Sequence, residues 1–211
     1  MLKKFLTLIL GFGLAAQVAA APAAATPDTA LKGTTEQLQK LIQTNYKAYR
    51  ADLPKFYQAV DEVVVPRFDV PYIAQLVLAS NYKAATAEQR SRFAAAFKNM
   101  MVRAYANAML DNYNSIQIDW LPVRLGENDK TALVNTTMKS DSGKAYAIGF
   151  RVRNVDNDWK VFDIAVENIS LITNFRTQLN AEIKKNGLDS VIERMEKGDF
   201  LEAAKKNGGA S

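Results

Sequence analysis

The chain has neither cysteine nor histidine in its 211 residues. Without Cys there is no disulfide, no thiol nucleophile and no lipid-modified N-terminal cysteine. Without His there is no imidazole acid–base group, and the two commonest zinc ligands are both missing. Any chemistry would fall to carboxylates, Lys, Tyr or hydroxyls. Long apolar runs are also missing. The longest, Phe5 to Leu14, falls short of the roughly 20 residues that a membrane span needs. It follows Lys3 and Lys4 and precedes a run of small residues, Ala15, Ala16, Ala19, Ala20 and Ala21. That order of basic, apolar and small segments reads as a secretory signal peptide. Val18-Ala19-Ala20 offers small side chains at the recognition positions, so cleavage is expected after Ala20. Finally, no charge of one sign dominates: 27 Lys and Arg stand against 22 Asp and Glu. Removing Lys3 and Lys4 lowers the formal charge from +5 to +3. Bases interleave with acids and no aromatic–basic RNA motif is present, so nucleic acid is not an expected partner.

Beyond the leader, the chain is about one domain long. Residues 21–33 are rich in Ala, Pro and Thr and are expected to be a flexible lead-in. Thr34-Thr35-Glu36-Gln37 carries a capping-box pattern, with Leu38, Leu41, Ile42, Asn45 and Tyr49 on one helical face behind it. Pro54 suits the first turn of a second helix that stops before Pro66. Asp69 can cap a third helix through Leu78. Thr86-Ala87-Glu88-Gln89 is another capping box, opening a helical period through Phe93, Phe97, Met100, Met101, Ala104, Tyr105 and Ala108. Ala87 to Asn112 would run about 40 Å at 1.5 Å per residue, long enough to invite a kink.

After Asn112 the period becomes alternating, as in strands. About four strands are expected, separated by turns at Gly126-Glu127-Asn128-Asp129, Ser140-Asp141-Ser142-Gly143 and Asn154-Val155-Asp156-Asn157. Short turns between successive strands imply an antiparallel meander. Two helices close the domain, from about Ser170 to Lys185 and from Leu188 to Glu196, divided by Gly187. The expected domain covers residues 34–200, and residues 201–211 read as a flexible tail. Helices, then a curved antiparallel sheet, then helices argue an α+β fold.

Trp159-Lys160-Val161-Phe162-Asp163 and Glu167-Asn168-Ile169-Ser170-Leu171-Ile172-Thr173-Asn174-Phe175-Arg176 resemble the W-K-V-x-D…E-G-I-S-L-V-x-N-Y-R segment of the MlaC family, also called the toluene-tolerance family. Phe68-Asp69-Val70, Val77-Leu78, Thr86 to Phe93, Phe97 and Tyr105 match further pieces in order. The resemblance covers about Thr35 to Val191. Two departures stand out: Ala79 and Tyr82 replace a usual Gly and Trp, and Asn168 replaces the Gly of Glu-Gly. The resemblance implies an NTF2-like sheet enclosing an apolar cavity in a periplasmic phospholipid carrier that is not an enzyme. It implies bound phospholipid as cargo and no cofactor. The implied partners are diacyl phospholipid, an inner-membrane ABC transporter with a ring of lipid-binding subunits, and an outer-membrane lipoprotein–porin complex. The expected state is a monomer, and the implied role is maintenance of outer-membrane lipid asymmetry.

The candidate lipid-lining residues are Val77, Phe93, Phe97, Met101 and Tyr105 on helices, and Tyr146, Ile148, Phe150, Val152 and Ile164 on strands. Core and cavity lining share one sequence signature, so periodicity alone leaves both readings open. Asp163, in an apolar strand, has two readings. It is either a structural acid paired with Arg176 or capping backbone, or the general base of an NTF2-like hydrolase or isomerase working with a pocket Tyr. Lys98, Arg103, Arg151, Arg153 and Lys160 are candidate docking cations.

Overall fold

The computed structural model describes residues 26–126, 130–141 and 143–201. Five helices come first: α1 (Pro27–Ala51), α2 (Leu53–Val63), α3 (Val70–Leu78), α4 (Asn81–Ala84) and α5 (Ala87–Asn112). A short 3₁₀ turn, Val65–Arg67, joins α2 to α3. The sheet follows as β1 (Gln117–Trp120), β2 (Arg124–Leu125), β3 (Thr131–Lys139), β4 (Ala145–Val155), β5 (Asp158–Val166) and β6 (Ile169–Ser170). Helices α6 (Leu171–Asn186) and α7 (Leu188–Lys197) close the domain. The sheet runs β1-β3-β4-β5-β6, with β2 also beside β3, and every pairing between strands is antiparallel. The fold is α+β, as the patterning predicts.

The helix starts show why these residues fold locally as they do. Thr86 accepts from the Gln89 amide while the Gln89 side chain accepts from the Thr86 amide, a complete capping box. From there α5 runs unbroken to Asn112. The Asp69 side chain accepts from the Tyr72 amide, so it caps α3 as expected. Asp156 and Asn157, both at positive φ, make the two-residue turn between β4 and β5. Glu167 (φ 49°) and Asn168 (φ 64°) do the same between β5 and β6, so Asn replaces the customary Gly without loss of the turn.

Four expectations need correction. The lead-in proposed for 21–33 is helical from Pro27, residues 21–25 lying outside the described chain. Pro27 occupies the first turn, and Leu31 is buried against the sheet, so tertiary contact recruits a segment of weak local pattern. Thr34 and Thr35 therefore cap nothing. Their hydroxyls donate back to the Ala30 and Leu31 carbonyls at 3.1 and 3.0 Å. The sheet has six strands rather than four. Pro122, which has no amide to give to β3, lies between β1 and β2, and the Glu167-Asn168 turn adds β6. At the C-terminal end, Leu201 packs on the helical core, so the expected tail contributes at least this residue to the fold; residues 202–211 lie outside the described chain.

Three apolar clusters form the interior. The largest joins α3, α5, α6 and α7 around Phe93, Phe97, Phe175, Leu179 and Ile192. A second lies on the sheet around Val134, Val152, Trp159 and Val161, covered by Leu31. The third joins α1, α2 and the C-terminal half of α5 around Ile42, Tyr49, Phe56 and Leu110.

Ala79 ends α3 at φ 51°, ψ −117°, a backbone state that glycine enters freely and alanine does not. Removing the Cβ relieves this strain, partly offset by the greater freedom of glycine in the unfolded chain. Ala79→Gly is expected to stabilise the fold by about 1 kcal/mol. The check is a higher urea midpoint at unchanged m-value.

Candidate functional site

Cross-strand register defines the inner face of the sheet. Ile118, Met138 and Tyr146 lie in one row, and Trp120, Thr136, Ile148 and Val166 in the next. Val134, Phe150 and Ile164 follow, and then Ala132, Val152 and Val161. Residues directly opposite one another share a face, so these four rows form one apolar surface. It is not uniformly covered. The last row is wholly buried beneath Leu31 and Phe68. In the first row all three side chains are only half-buried. One end of the surface is thus sealed and the other is open.

The predicted residues divide accordingly. Val77, Phe93 and Phe97 sit in the solid helical core, where Phe93 stacks on Phe97 at 6.0 Å between centroids and Phe97 meets Phe175 edge-on at 5.3 Å. Val152 is at the sealed end of the sheet, and Ile148 is buried in the second row. Met101, Tyr105, Tyr146, Phe150 and Ile164 keep open surface. Ile164 touches both the helical and the sheet clusters, so it stands where the two layers meet. Burial pushes the Tyr105 hydroxyl up to a pKa of about 12. The patterning missed Ile118 and Met138, which share the open row with Tyr146. The alternation Val134, Thr136, Met138 was the available signal.

Two clefts open on the surface. One of about 170 Å³ lies between α1 and β1, lined by Lys32, Thr35, Glu36, Gln39, Ile118 and Trp120. The other, of about 270 Å³, lies over α3, α4 and α5, lined by Pro71, Ala74, Tyr82, Arg90, Ser91 and Ala94. Neither is lined by the predicted residues. No cluster of acidic residues able to hold a metal is present among the described residues.

Asp163 caps backbone, one of the two structural roles expected of it, and its ion-pair partner is Arg151 in place of Arg176. Its Oδ1 accepts the Ile172 amide at 3.2 Å, and its Oδ2 lies 3.4 Å from Arg151 Nη1. Ser170 accepts the next amide, Thr173, at 3.1 Å. The two side chains together satisfy amides in the first turn of α6, which otherwise have no partner in the helix. Arg176 instead donates from Nε to the Leu76 carbonyl at 2.8 Å, and Asn180 donates to the Val77 carbonyl at 2.8 Å. Both close carbonyls at the C-terminal end of α3. A carboxylate occupied by a helix terminus and an arginine is not positioned as a general base.

The candidate docking cations are mostly paired internally. Lys98 meets Asp61 at 2.8 Å, and Lys160 meets Asp158 at 2.7 Å. Arg153 lies on the Tyr72 ring and 2.8 Å from Asp69 Oδ2; the contact is an ion pair, the N–H not being aimed for a hydrogen bond. Arg103 is exposed and makes no ion pair among the described residues.

Comparison with known proteins gives this architecture its relatives. The family described as MlaC protein matches residues 32–197, most of the described chain. The chain belongs to the MlaC family. It is 31% identical over 186 residues to the toluene tolerance protein ttg2D of Pseudomonas putida, covering 86% of each chain. It is 28% identical to the intermembrane phospholipid transport system binding protein MlaC of Haemophilus influenzae, covering 92% of each. Among solved structures, a phospholipid-binding protein from Ralstonia solanacearum, in complex with a phospholipid, superposes with a TM-score of 0.73 at 26% identity. That match covers 86% of this chain and 98% of the other. Within this MlaC-family chain no described helix is long and apolar enough to cross a membrane.

Two measurements check the site. Asp163→Ala leaves the Ile172 amide without its acceptor and should cost about 1–3 kcal/mol by urea unfolding, whereas Asp163→Asn keeps an acceptor and should cost less. Tyr105 holds its proton more tightly folded than unfolded, so stability is full below pH 10 and falls as pH rises through about 12. Tyr105→Phe should flatten that alkaline decline in the unfolding midpoint.

Proposed function

We propose that this protein is a phospholipid carrier of the space between two membranes, and that it hides acyl chains between the open half of the sheet and α5. The observation that carries the reading is the asymmetric sheet face. Apolar side chains at its open end, Ile118, Met138 and Tyr146, are left half-buried, and Phe150 two rows in keeps open surface, in a domain that seals the other end fully. A solid-core adaptor would have no reason to leave that row uncovered. Family membership supports the same reading, since the relatives named above include a phospholipid-binding protein in complex with its lipid and a binding protein of a phospholipid transport system.

The energetics set what such a carrier must do. Burying a methylene is worth about 0.8 kcal/mol, so an acyl chain of roughly fifteen methylenes costs on the order of 12 kcal/mol to expose to water. Nearly all of each chain must therefore be covered during transit. Met101 and Met138 suit walls that repack around chains of different length, because Met is unbranched and polarisable. The reading needs no catalytic group, in keeping with an engaged Asp163. Shuttling between an inner-membrane ABC transporter and an outer-membrane lipoprotein–porin complex, in the periplasm and behind a cleaved signal peptide, extends the same proposal to its partners.

Organic extraction of the purified protein followed by mass spectrometry tests it: diacyl phospholipid is expected. Absence of such lipid, together with no uptake from labelled vesicles, would overturn the reading. Phe150→Asp should leave a folded protein with most of its co-purified lipid lost, because a charge in the lining repels acyl chains while its half-open position still reaches water. Phe97→Asp, placed in solid core, should instead prevent folding.

A further inference from the structure

Helix α1 is one continuous helix, yet it belongs to two different cores. Leu31, near its N-terminus, is buried in the sheet cluster, and Ala30 packs there too. Lys32 lies over the Trp120 ring of β1 at 5.7 Å. Further along, Leu38, Tyr46, Ile42 and Tyr49 pack with α2 and α5 instead. No residue from Lys32 to Gln37 is buried. The apolar stripe that would hold α1 to a single partner is thus interrupted where the helix passes from one layer to the other.

The interruption coincides with the weakest local helix in α1. Gly33 carries no side chain to restrict its backbone, and a Cβ placed on it would meet nothing within 4 Å. No close approach therefore requires glycine there. Thr34 and Thr35 both turn their hydroxyls back onto carbonyls four residues earlier, a bond that competes with the helix ladder and bends it. Behind this segment lies the cleft of about 170 Å³ that separates α1 from Ile118 and Trp120. Ile118 is in the open row of the sheet face.

We propose that α1 is a hinged strap: its N-terminal turns, Pro27 to Lys32, swing about Gly33–Thr35 and lift Leu31 and Lys32 off the sheet, so that apolar chains lying on the open rows can extend along the face toward its sealed end. The idea rests on the carrier reading above, but the hinge is a property of the helix itself. The strap is held shut by a small set of contacts: Leu31 and Ala30 on the sheet, a buried Pro27, Lys32 on Trp120, and a long 3.4 Å hydrogen bond from Arg67 Nε to the Thr34 hydroxyl. The rest of α1 is anchored by a buried tyrosine and isoleucine and stays with α5. The opening therefore bends one helix and does not separate whole layers.

The test uses two variants that act on the strap in opposite directions. Gly33→Ala with Thr35→Ala stiffens the hinge without a steric clash and should slow lipid uptake from labelled vesicles by about fivefold, the rate factor that a Gly→Ala gain in helix stability corresponds to. Leu31→Ala loosens the strap and should speed uptake, with the equilibrium lipid content of both variants unchanged. Rates that do not move, or that move the same way in both, would overturn the proposal. A second arm needs no lipid. In the wild type, backbone amides from Leu31 to Gln37 should exchange with deuterium faster than those from Ile42 to Tyr49, and the stiffened variant should remove the difference. Uniform protection along α1 would overturn the strap even where lipid is carried. Fast exchange at the hinge in a protein that takes up no lipid would support the hinge and count against the carrier reading alone.

Discussion

The carboxylate of Asp163 is where the sheet and the helices are joined. It is almost wholly buried, and it is provided for because α6 begins beside it and presents the Ile172 amide. Much else follows from that joint. It sets where α6 starts against β5. From α6, Arg176 and Asn180 reach the last carbonyls of α3, and α3 in turn packs on α5 through Val77, Leu78, Phe93 and Phe97. One buried acid thus fixes the orientation of a chain of three helices relative to the sheet. Loss of its acceptor would loosen the relation between the layers before it disrupted either layer.

The two ends of the sheet face do different jobs because the elements that cover them differ. Phe68 and the start of α1 lie over the end formed by Ala132, Val152 and Val161, and there the side chains are all buried. At the other end the first row stays half-buried. Beside the sealed row, between Arg151 and Val152, β5 slips register against β4 with Phe162 as the extra residue. Phe162 uses that slip to meet Tyr72 edge-on at 5.6 Å, so the bulge also ties β5 to α3. The sealed end is thereby backed across its whole row, while at the other end helical cover reaches Ile164 and Val166 of β5 and leaves Ile118, Met138 and Tyr146 half-buried.

Features carried by short-range chemistry were legible in the sequence. The capping box at Thr86, the Asp69 cap, the full length of α5 and the tight turns all depend on residues within a few positions of one another. So did the awkwardness of Ala79, where the departure from glycine coincides with a positive φ. What depended on distant contacts was not legible. Nothing near Pro27 announces a helix, because its reason for being one is Leu31 meeting the sheet. Arg176 looked like the natural partner of Asp163, yet the carbonyls of α3, about a hundred residues earlier, take it instead. The split of the lining stripe into solid core and half-open surface was likewise invisible, since Phe93 and Met101 have the same periodicity and differ only in what packs over them.

The pairing of surface cations has a consequence for how such a molecule behaves near a bilayer. Lys98, Arg151, Arg153 and Lys160 each have an acid beside them within the same chain. Their fields largely cancel a few ångströms from the surface, and salt screens what is left. Anionic headgroups attract clustered, unpaired bases, with each base near the surface worth about 1 kcal/mol. These four paired bases therefore offer little of this adhesion. A contact made at these positions would rest on shape more than on charge.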